Sequence, residues 1–483
     1  MSFLEKYDLN YIPLTLEVGE LKPIKLFLGE GSQPLEIAVF SSYKKPTSAK
    51  VQEAFRKRRA RRAAAVLIVI THPEGVTVCG TSGEQPPIYY LKDKNQVERL
   101  CAITLKKSNK NESIKFLSEA IPSLETNLPG IINEGFLSNH ELEVGVQKRK
   151  DWEVALIKSK KIIEESSKNL FNSLGFISET LDNLTEILIA NGENIGIAVT
   201  LNKGELPQIS NDRFNNISPI SYALTKAQKI KVSWILIYFR NGVRLYSSKN
   251  LGIAKRSRSE TFIECQPYLL SSQNRGLLWL LFSSEALKQK GTIYSILENS
   301  QRFSIDVAEK LRERIYEKVV PLLAMSIARE RKLLSPNREE LSITYQMAVT
   351  VLFRLLFISY AEDRDFLPYK SNEKYRQISL KEKAKELVKK ISNNEPSNTG
   401  FEDWIKSFQL CEAISRGNKE LSIPAYGGTI FSNDIDISKP GAFLSKVKIK
   451  NEIFDEILTN LLLTTTAEGN FVPIDFRSLS VRE

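Results

Sequence analysis

The chain has 483 residues, 42% hydrophobic and 26% charged, so it can bury sizeable cores and is expected to form two to four domains. Its net charge of +11 favours a polyanionic partner, because lysine and arginine neutralise phosphate groups. Four widely spaced cysteines and two isolated histidines argue against a disulfide framework, a zinc site and a Ser-His-Asp triad.

The order strand, helix, hairpin is predicted twice in the first half of the chain. The first copy comprises a strand, a helix and a hairpin at Leu35–Phe40, Ser48–Arg62 and Ala65–Cys79. The second comprises the same elements at Ile195–Leu201, Pro219–Ala227 and Val232–Ser247. Asn241–Gly242 is a strong type I′ turn signal in the second hairpin. Two α/β units of similar plan are therefore expected.

The remaining segments are predicted to be helical. Asp151–Ala190 is amphipathic, Ser284–Lys390 is almost wholly helical, and the polar stretch Ser392–Thr399 marks a loop before a last helical region. The expected fold class is α/β followed by mostly α. The expected domains are residues 1–145, 146–283, 284–391 and 392–483.

Two basic clusters are candidate contacts for DNA phosphates. In the first, six of seven successive residues are cationic: Arg56, Lys57, Arg58, Arg59, Arg61 and Arg62. The second contains Lys255, Arg256 and Arg258 with interleaved serines. A solvated helix end would explain the first cluster equally well, and a loop network of ion pairs would explain the second. Both interpretations stay open.

The segment Thr350–Tyr369 combines an apolar helix with a charged end. Met347–Ile358 contains one charge, Arg354, so this helix is expected to be buried on most faces. Glu362 to Asp365 would form its solvated end, and Pro368 would terminate it.

The sequence of this segment closely resembles the helical segment ahead of the catalytic domain in large type IIG-like restriction-modification proteins, which methylate adenine in DNA. Ile423–Phe431 (IPAYGGTIF) resembles the family's proline-tyrosine-glycine-glycine loop, and Ile474–Leu479 (IDFRSL) resembles the lead-in to its methyltransferase core. The resemblance implies that Tyr426, Gly427 and Gly428 pack against the catalytic domain. A tight turn with positive φ is the default interpretation of the two glycines.

The family's catalytic motifs are absent from this sequence, which has neither an Asn-Pro-Pro-aromatic motif nor the glycine-rich loop for S-adenosylmethionine. The resemblance therefore implies a part of such an enzyme that precedes the methyltransferase core. S-adenosylmethionine is expected to bind the missing part, which a separate polypeptide would supply or which was lost by truncation. No cofactor is expected in this chain itself.

The two α/β units also resemble the nuclease-like domains at the front of type I and type IIG restriction proteins. Such domains hold a divalent metal with an acidic residue and an Asp/Glu-x-Lys strand. The strand Ile195–Leu201 has no acid two residues before a lysine. Glu186, Glu193 and Glu205 are the remaining acidic candidates for a nuclease site.

The sequence thus predicts the DNA-handling part of an adenine-specific restriction-modification system, with double-stranded DNA and a separate methyltransferase polypeptide as partners. One alternative is a Mg-dependent restriction endonuclease subunit, and another is a non-catalytic remnant or protein-interaction scaffold. A cytoplasmic location is expected, because no run approaches about 18 uninterrupted apolar residues and no secretion leader is recognisable.

Overall fold

The computed structural model describes residues 3–30, 34–60, 65–81, 86–107, 109–165, 170–239, 242–254, 256–369, 371–466 and 469–479. The chain divides into two compact units. Unit 1 comprises Met1–Gly252 and Arg256–Asn299, and unit 2 comprises Ile253–Lys255 and Ser300–Glu483. Both large sheets lie in unit 1 and unit 2 is mostly helical, so the predicted order of an α/β half followed by a helical half is confirmed. The finer division into four domains stays a prediction.

The first sheet of unit 1 has the strand order β1-β2-β3-β4-β5-β6. Its strands are β1 (Tyr11–Pro13), β2 (Lys22–Leu28), β3 (Glu36–Ser41), β4 (Val66–His72), β5 (Gly75–Thr81) and β6 (Ile88–Leu91). Only β3 and β4 run parallel among these neighbours. A parallel pair needs a crossover, which helix α1 (Ser48–Arg59) supplies.

Both faces of this sheet are covered. Val51, Ala54 and Phe55 of α1 pack on one face, against side chains that include Phe40 and Ile68. Helices α2 (Lys94–Leu105) and α3 (Lys110–Ser123) contribute to the core of the opposite face. Alternate residues of a strand point to opposite faces, so the nearly continuous apolar runs of β3 and β4 serve two cores.

The second sheet repeats this plan, with the strand order β7-β13-β12-β11-β10-β9-β8. Its strands are β7 (Ile131–Glu134), β8 (Ile177–Asp182), β9 (Thr185–Ala190), β10 (Glu193–Thr200), β11 (Trp234–Phe239), β12 (Gly242–Ser247) and β13 (Phe262–Cys265). The associated helices are α4 (Trp152–Glu165), α5 (Leu170–Ser173), α6 (Pro219–Lys229), α7 (Gly276–Phe282), α8 (Ser284–Leu287) and the first part of α9 (Thr292–Arg314), which belongs to unit 2 from Ser300 onwards. Strands β10 and β11 are parallel, and α6 forms their crossover.

The prediction of one helical segment over Asp151–Ala190 is wrong in its second half, where β8 and β9 form a hairpin. The spacing of Leu184, Ile187 and Leu188 fits one face of a helix, but in the structure these residues lie on a half-buried strand and its turn. Asp182 decides the local geometry. Its carboxylate accepts the backbone N–H of Leu184 at 2.9 Å and of Thr185 at 3.0 Å, which closes the turn.

Unit 2 is a helical assembly with one small hairpin. Its helices are α10 (Val320–Glu330), α11 (Arg338–Asp363), α12 (Glu373–Arg376), α13 (Leu380–Ser392), α14 (Glu402–Arg416), α15 (Lys439–Leu444) and α16 (Asn451–Leu462), and the hairpin strands are β14 (Leu463–Thr465) and β15 (Phe471–Pro473). Short helices of 3₁₀ or π type complete the chain at Glu141–Gly145, Val146–Lys148, Asp212–Phe214, Pro267–Leu269 and Ile315–Val319. The core of unit 2 gathers around α11.

Helix α11 is long and apolar enough, by length and composition, to cross a membrane, but 44% of its most apolar window is buried in the protein. Met347, Val351 and Leu355 lie in the core of unit 2. The prediction of burial on most faces needs a qualification, because Phe353 and Tyr345 expose more than half of their surface. The apolar composition of α11 is therefore explained by a core helix that also has one exposed apolar stripe.

The prediction of a solvated end at Glu362 and Asp363 is wrong. The helix ends at Asp363, and these two residues expose only 1% and 8% of their surface. Both carboxylates are buried because they accept hydrogen bonds from segments that follow later in the chain.

Candidate functional sites

The basic run of α1 divides into exposed and buried cations. Arg56 and Lys57 are exposed, and Lys57 forms a surface ion pair with Glu53 at 2.8 Å. Arg58 instead turns towards β3, where its guanidinium contacts the Glu36 carboxylate at 2.6 and 2.7 Å with both side chains about nine-tenths buried.

Arg59 is half-buried, with its guanidinium 5.7 Å from the centre of the Phe55 ring. Arg61 and Arg62 lie outside the described residues. Within the described part of the chain, Arg56 and Lys57 are therefore the residues of this run that are exposed enough to contact a phosphate.

The second basic cluster is mostly engaged within unit 1. Lys255 falls outside the described residues. The Arg256 side chain, 14% exposed, lies 3.7 Å from the Glu134 carboxylate. Arg258 donates a hydrogen bond to the Ser248 carbonyl at 2.9 Å. These contacts match the loop network that the sequence left open as an alternative to DNA contact.

The three acidic nuclease candidates are not assembled into one site. Glu186 lies opposite Ala198 of β10, whereas Glu193 lies opposite Ala190 at the other end of the same hairpin. Five residues of β10 separate those positions, which is about 16 Å at the strand rise of roughly 3.3 Å per residue. One metal ion cannot bridge the two carboxylates over that distance.

Glu205 lies after β10 and is fully engaged with protein donors. Its carboxylate accepts hydrogen bonds from Arg213, from the Asn211 amide at 2.9 Å and from the Asn202 backbone N–H at 2.8 Å. The hydrogen bond from Arg213 is the main cause of a lowered pKa for Glu205. Within the described ranges, no cluster of three or more His, Cys, Asp or Glu side chains is placed to hold a metal ion.

The three segments of the family resemblance meet in unit 2. Arg354 of α11, 1% exposed, donates to the Ile430 carbonyl at 2.7 Å and to the Ser432 carbonyl at 3.0 Å. The rings of Phe357 and Phe431 contact each other edge to face, with centroids 5.2 Å apart. The long helix and the IPAYGGTIF loop therefore form one packed surface.

The IDFRSL segment binds the end of the same helix. The Asp363 carboxylate accepts the Phe476 backbone N–H at 2.8 Å and the Lys381 ammonium at 2.7 Å. Arg477 donates to the backbone carbonyl of Asp363 at 2.8 Å. Burial, together with the neighbouring Asp363 carboxylate, raises the pKa of Asp475, the second residue of this segment, to about 6.

Glu362 links the helix end to α13. Its carboxylate accepts the Tyr375 hydroxyl at 2.7 Å and the backbone N–H groups of Leu380 at 3.0 Å and Lys381 at 2.7 Å. Burial raises the pKa of Glu362 to about 7, against these three hydrogen bonds, which favour the ionised form. The two N–H groups belong to the first turn of α13, where an anion is favoured by the helix dipole.

The glycine loop has the backbone geometry that its default interpretation requires. Gly427 and Gly428 have φ of 63° and 88°, and added Cβ atoms would meet open space. The glycines are therefore needed for backbone conformation and not for close packing. Tyr426 is 44% exposed, and its hydroxyl donates to the Phe366 carbonyl at 2.7 Å. That bond ties the loop to the chain just after α11.

Sequence reasoning missed a buried ion pair in the second sheet. Arg244 and Glu264 lie opposite each other on β12 and β13, and the guanidinium contacts the carboxylate at 2.7 and 2.9 Å. Arg244 also donates to the Tyr246 hydroxyl at 3.1 Å. The signal was a charge inside each of two otherwise apolar strands, and Glu36 at the start of β3 carries the same signal.

No protein-family model, curated protein or solved structure matches this chain. The resemblance to type IIG-like proteins therefore stays a prediction based on the three segments.

Proposed function

We propose that this chain is the DNA-handling part of an adenine-specific restriction-modification protein of the type IIG-like kind, acting in the cytoplasm. The methyltransferase domain, with its S-adenosylmethionine, would belong to residues outside this sequence or to a separate polypeptide. The observation that carries the proposal is that two of the resembling segments pack against α11, the helix that carries the third.

The segments are far apart in sequence but close in the fold. Arg354 reaches its carbonyl partners across 76 and 78 residues, Tyr426 reaches Phe366 across 60, and Asp363 meets Phe476 across 113. Many segments of unit 2 contact α11, because this helix lies at the centre of the core. The two other resembling segments also bind polar side chains of the resembling helix, Arg354 and Asp363, which supports the view that the three segments act as one structural unit. In the family this unit precedes the methyltransferase core.

The proposed division of labour follows from charge and position. A chain with a net charge of +11 attracts the duplex backbone, and Arg56 and Lys57 are the exposed cations that would contact phosphates. Unit 2, with the exposed Tyr426 loop, would dock the methyltransferase domain. That domain would flip the target adenine into its own pocket, because the reacting atom is inaccessible inside a stacked duplex.

The test is duplex-DNA binding by the full chain over a salt series. Each phosphate contact contributes roughly 0.9 to the slope of log K against log salt, so Arg56→Glu with Lys57→Glu is expected to lower the slope by about 2 and the affinity at least tenfold. The control is Lys115→Glu with Lys229→Glu, which makes the same charge change at exposed positions of α3 and α6. We expect that control to keep the wild-type slope.

Two results would count against the proposal. Absence of binding at low salt would contradict it, and equal losses in both double variants would show that only the overall charge matters. Running the same series with Mg²⁺ and examining the DNA for cleavage tests the endonuclease alternative in one experiment.

A further inference from the structure

An open cavity lies at the carboxyl ends of β3 and β4, the parallel strands of the first sheet. Ser41 ends β3 and is paired in register with Thr71, the penultimate residue of β4. The cavity measures about 460 Å³ and is lined by Ser41, Ser42, Thr71, His72, Lys92 and Lys94, together with the hairpin turn after β4. The chain leaves both strands at this edge, so the loop after β3 and the turn after β4 meet around the cavity.

The corresponding edge of the second sheet is closed by the chain itself. Arg213 donates to the carbonyl of Thr200, the last residue of β10, at 3.0 Å, and forms an ion pair with Glu205. An internal cation and its carboxylate thus occupy that edge. At the equivalent position, the first sheet has an open cavity lined by hydroxyl and ammonium groups. The two sheets therefore differ at this edge, and the first sheet leaves space for a ligand.

The lining groups have hydrogen-bond capacity to spare. The Ser42 hydroxyl oxygen accepts the Lys44 backbone N–H at 3.4 Å, which leaves its own hydrogen to donate. His72 contacts the Thr77 hydroxyl through Nε2 at 3.0 Å, and its Nδ1 is buried, so this side chain shapes the wall of the cavity and the donors available to a ligand are the hydroxyl and ammonium groups.

The residues that line the cavity carry a net positive charge. They include two lysines, Lys92 and Lys94, and one acid, Glu74. The Lys94 ammonium also lies 3.9 Å from the Glu98 carboxylate, so Lys92 is the lysine on which the proposal and its test are built. Burial is the main cause of the lowered pKa of His72, so the imidazole is neutral at pH 7 and the positive charge comes from the lysines. Hydroxyl donors combined with an ammonium group suit the oxygens of a phosphate.

We propose that this edge cavity of the first sheet binds a phosphate group, carried either by a free nucleotide or by the DNA backbone. The site is separate from the basic run of α1. That helix starts at the carboxyl edge, at Ser48, and its 12 residues span about 18 Å, so Arg56 and Lys57 lie towards the opposite edge. The proposed phosphate site and the proposed DNA contacts of α1 can therefore be tested independently.

The experiment titrates the full chain with adenosine 5′-monophosphate, with inorganic phosphate and with a DNA duplex, for wild type, Lys92→Ala and Lys115→Ala. Lys92 and Lys115 are both exposed, so each variant removes one ammonium without disturbing the core. Loss of one charge-assisted contact should weaken binding of the recognised probe about tenfold in Lys92→Ala, and Lys115→Ala should bind like wild type.

The probes separate the two sources of phosphate and the two proposals. A Lys92-dependent affinity for the nucleotide or phosphate identifies a small ligand, and a Lys92-dependent affinity for the duplex alone identifies the DNA backbone. If Lys92→Ala leaves the affinity for every probe unchanged, including the case in which no probe binds, the cavity proposal is overturned. Duplex binding that needs Arg56 and Lys57 but not Lys92 would retain the proposed function alone, and nucleotide binding without duplex binding would retain the cavity alone.

Discussion

Replacing Arg354 tests the packing on which the proposed function rests. In Arg354→Ala the carbonyl oxygens of Ile430 and Ser432 lose their donor, at about 1–3 kcal/mol for each buried acceptor left unsatisfied. Removing a guanidinium whose Nη1 is buried without a partner in the described chain offsets part of that loss. We therefore expect a net destabilisation of about 3 kcal/mol, which corresponds to a fall of about 6–12 °C in Tm for a unit of roughly 150–250 residues.

The assay combines thermal unfolding with hydrogen exchange of the peptide that contains Ile430–Asn433. Arg354→Ala should lower the Tm of unit 2 and speed exchange in that peptide. The matched control is Arg416→Ala, which removes an arginine whose side chain is 76% exposed and pairs with Glu412 one turn away. If Arg354→Ala shifted Tm no more than this control and left exchange unchanged, the segments would not be held together as we argue.

Three further outcomes follow from the structure. Arg58→Ala removes the 2.6 and 2.7 Å contacts of its guanidinium with the buried Glu36 carboxylate and should destabilise unit 1 by about 1–3 kcal/mol in denaturant unfolding, whereas Arg56→Ala should stay within about 0.5 kcal/mol. Burial opposes ionisation of Asp182, but its lysine and backbone partners lower its pKa to about 2. The ionised carboxylate should therefore stabilise the fold by about 1 kcal/mol above about pH 4, after allowance for solvent screening, and this contribution should be lost as the pH falls towards 2. Asp182→Asn should lack this part of the pH dependence. Gly428→Ala should cost about 1 kcal/mol in thermal unfolding through its positive φ, and an unchanged Tm would contradict that reasoning.

The repeated strand, helix and hairpin were predictable because their signals are local. β3, α1 and the β4–β5 hairpin follow from apolar runs and a turn, and β10, α6 and the β11–β12 hairpin repeat them. The hairpin of β8 and β9 was missed because the apolar spacing over Leu184–Leu188 fits a helix as well as a strand. Pairing with β10 decides in favour of the strand, and pairing partners cannot be read from a local pattern.

The candidate site was harder to predict because charge alone does not reveal burial. Arg58 and its neighbour Lys57 look equivalent in the sequence, but Arg58 meets Glu36, 22 residues earlier on the adjacent strand. The sequence around Arg364 suggests that Glu362 and Asp363 are solvated, yet each carboxylate accepts a hydrogen bond from a later segment of the chain. In each case the partner is set by tertiary packing, which lies beyond any window of the sequence.

The end of α11 has a consequence for how the protein is made. Glu362 finds its backbone partners in α13 only 18 and 19 residues later, but Asp363 receives the Phe476 N–H 113 residues later. At a synthesis rate of roughly 5–20 residues per second, the ribosome needs about 6–23 s to add that length. Throughout this interval a nascent chain carries an apolar helix whose terminal carboxylate has not met its final partner. Unit 2 thus closes late in synthesis, and chains released before Phe476 would leave that end of the helix open to solvent and to aggregation.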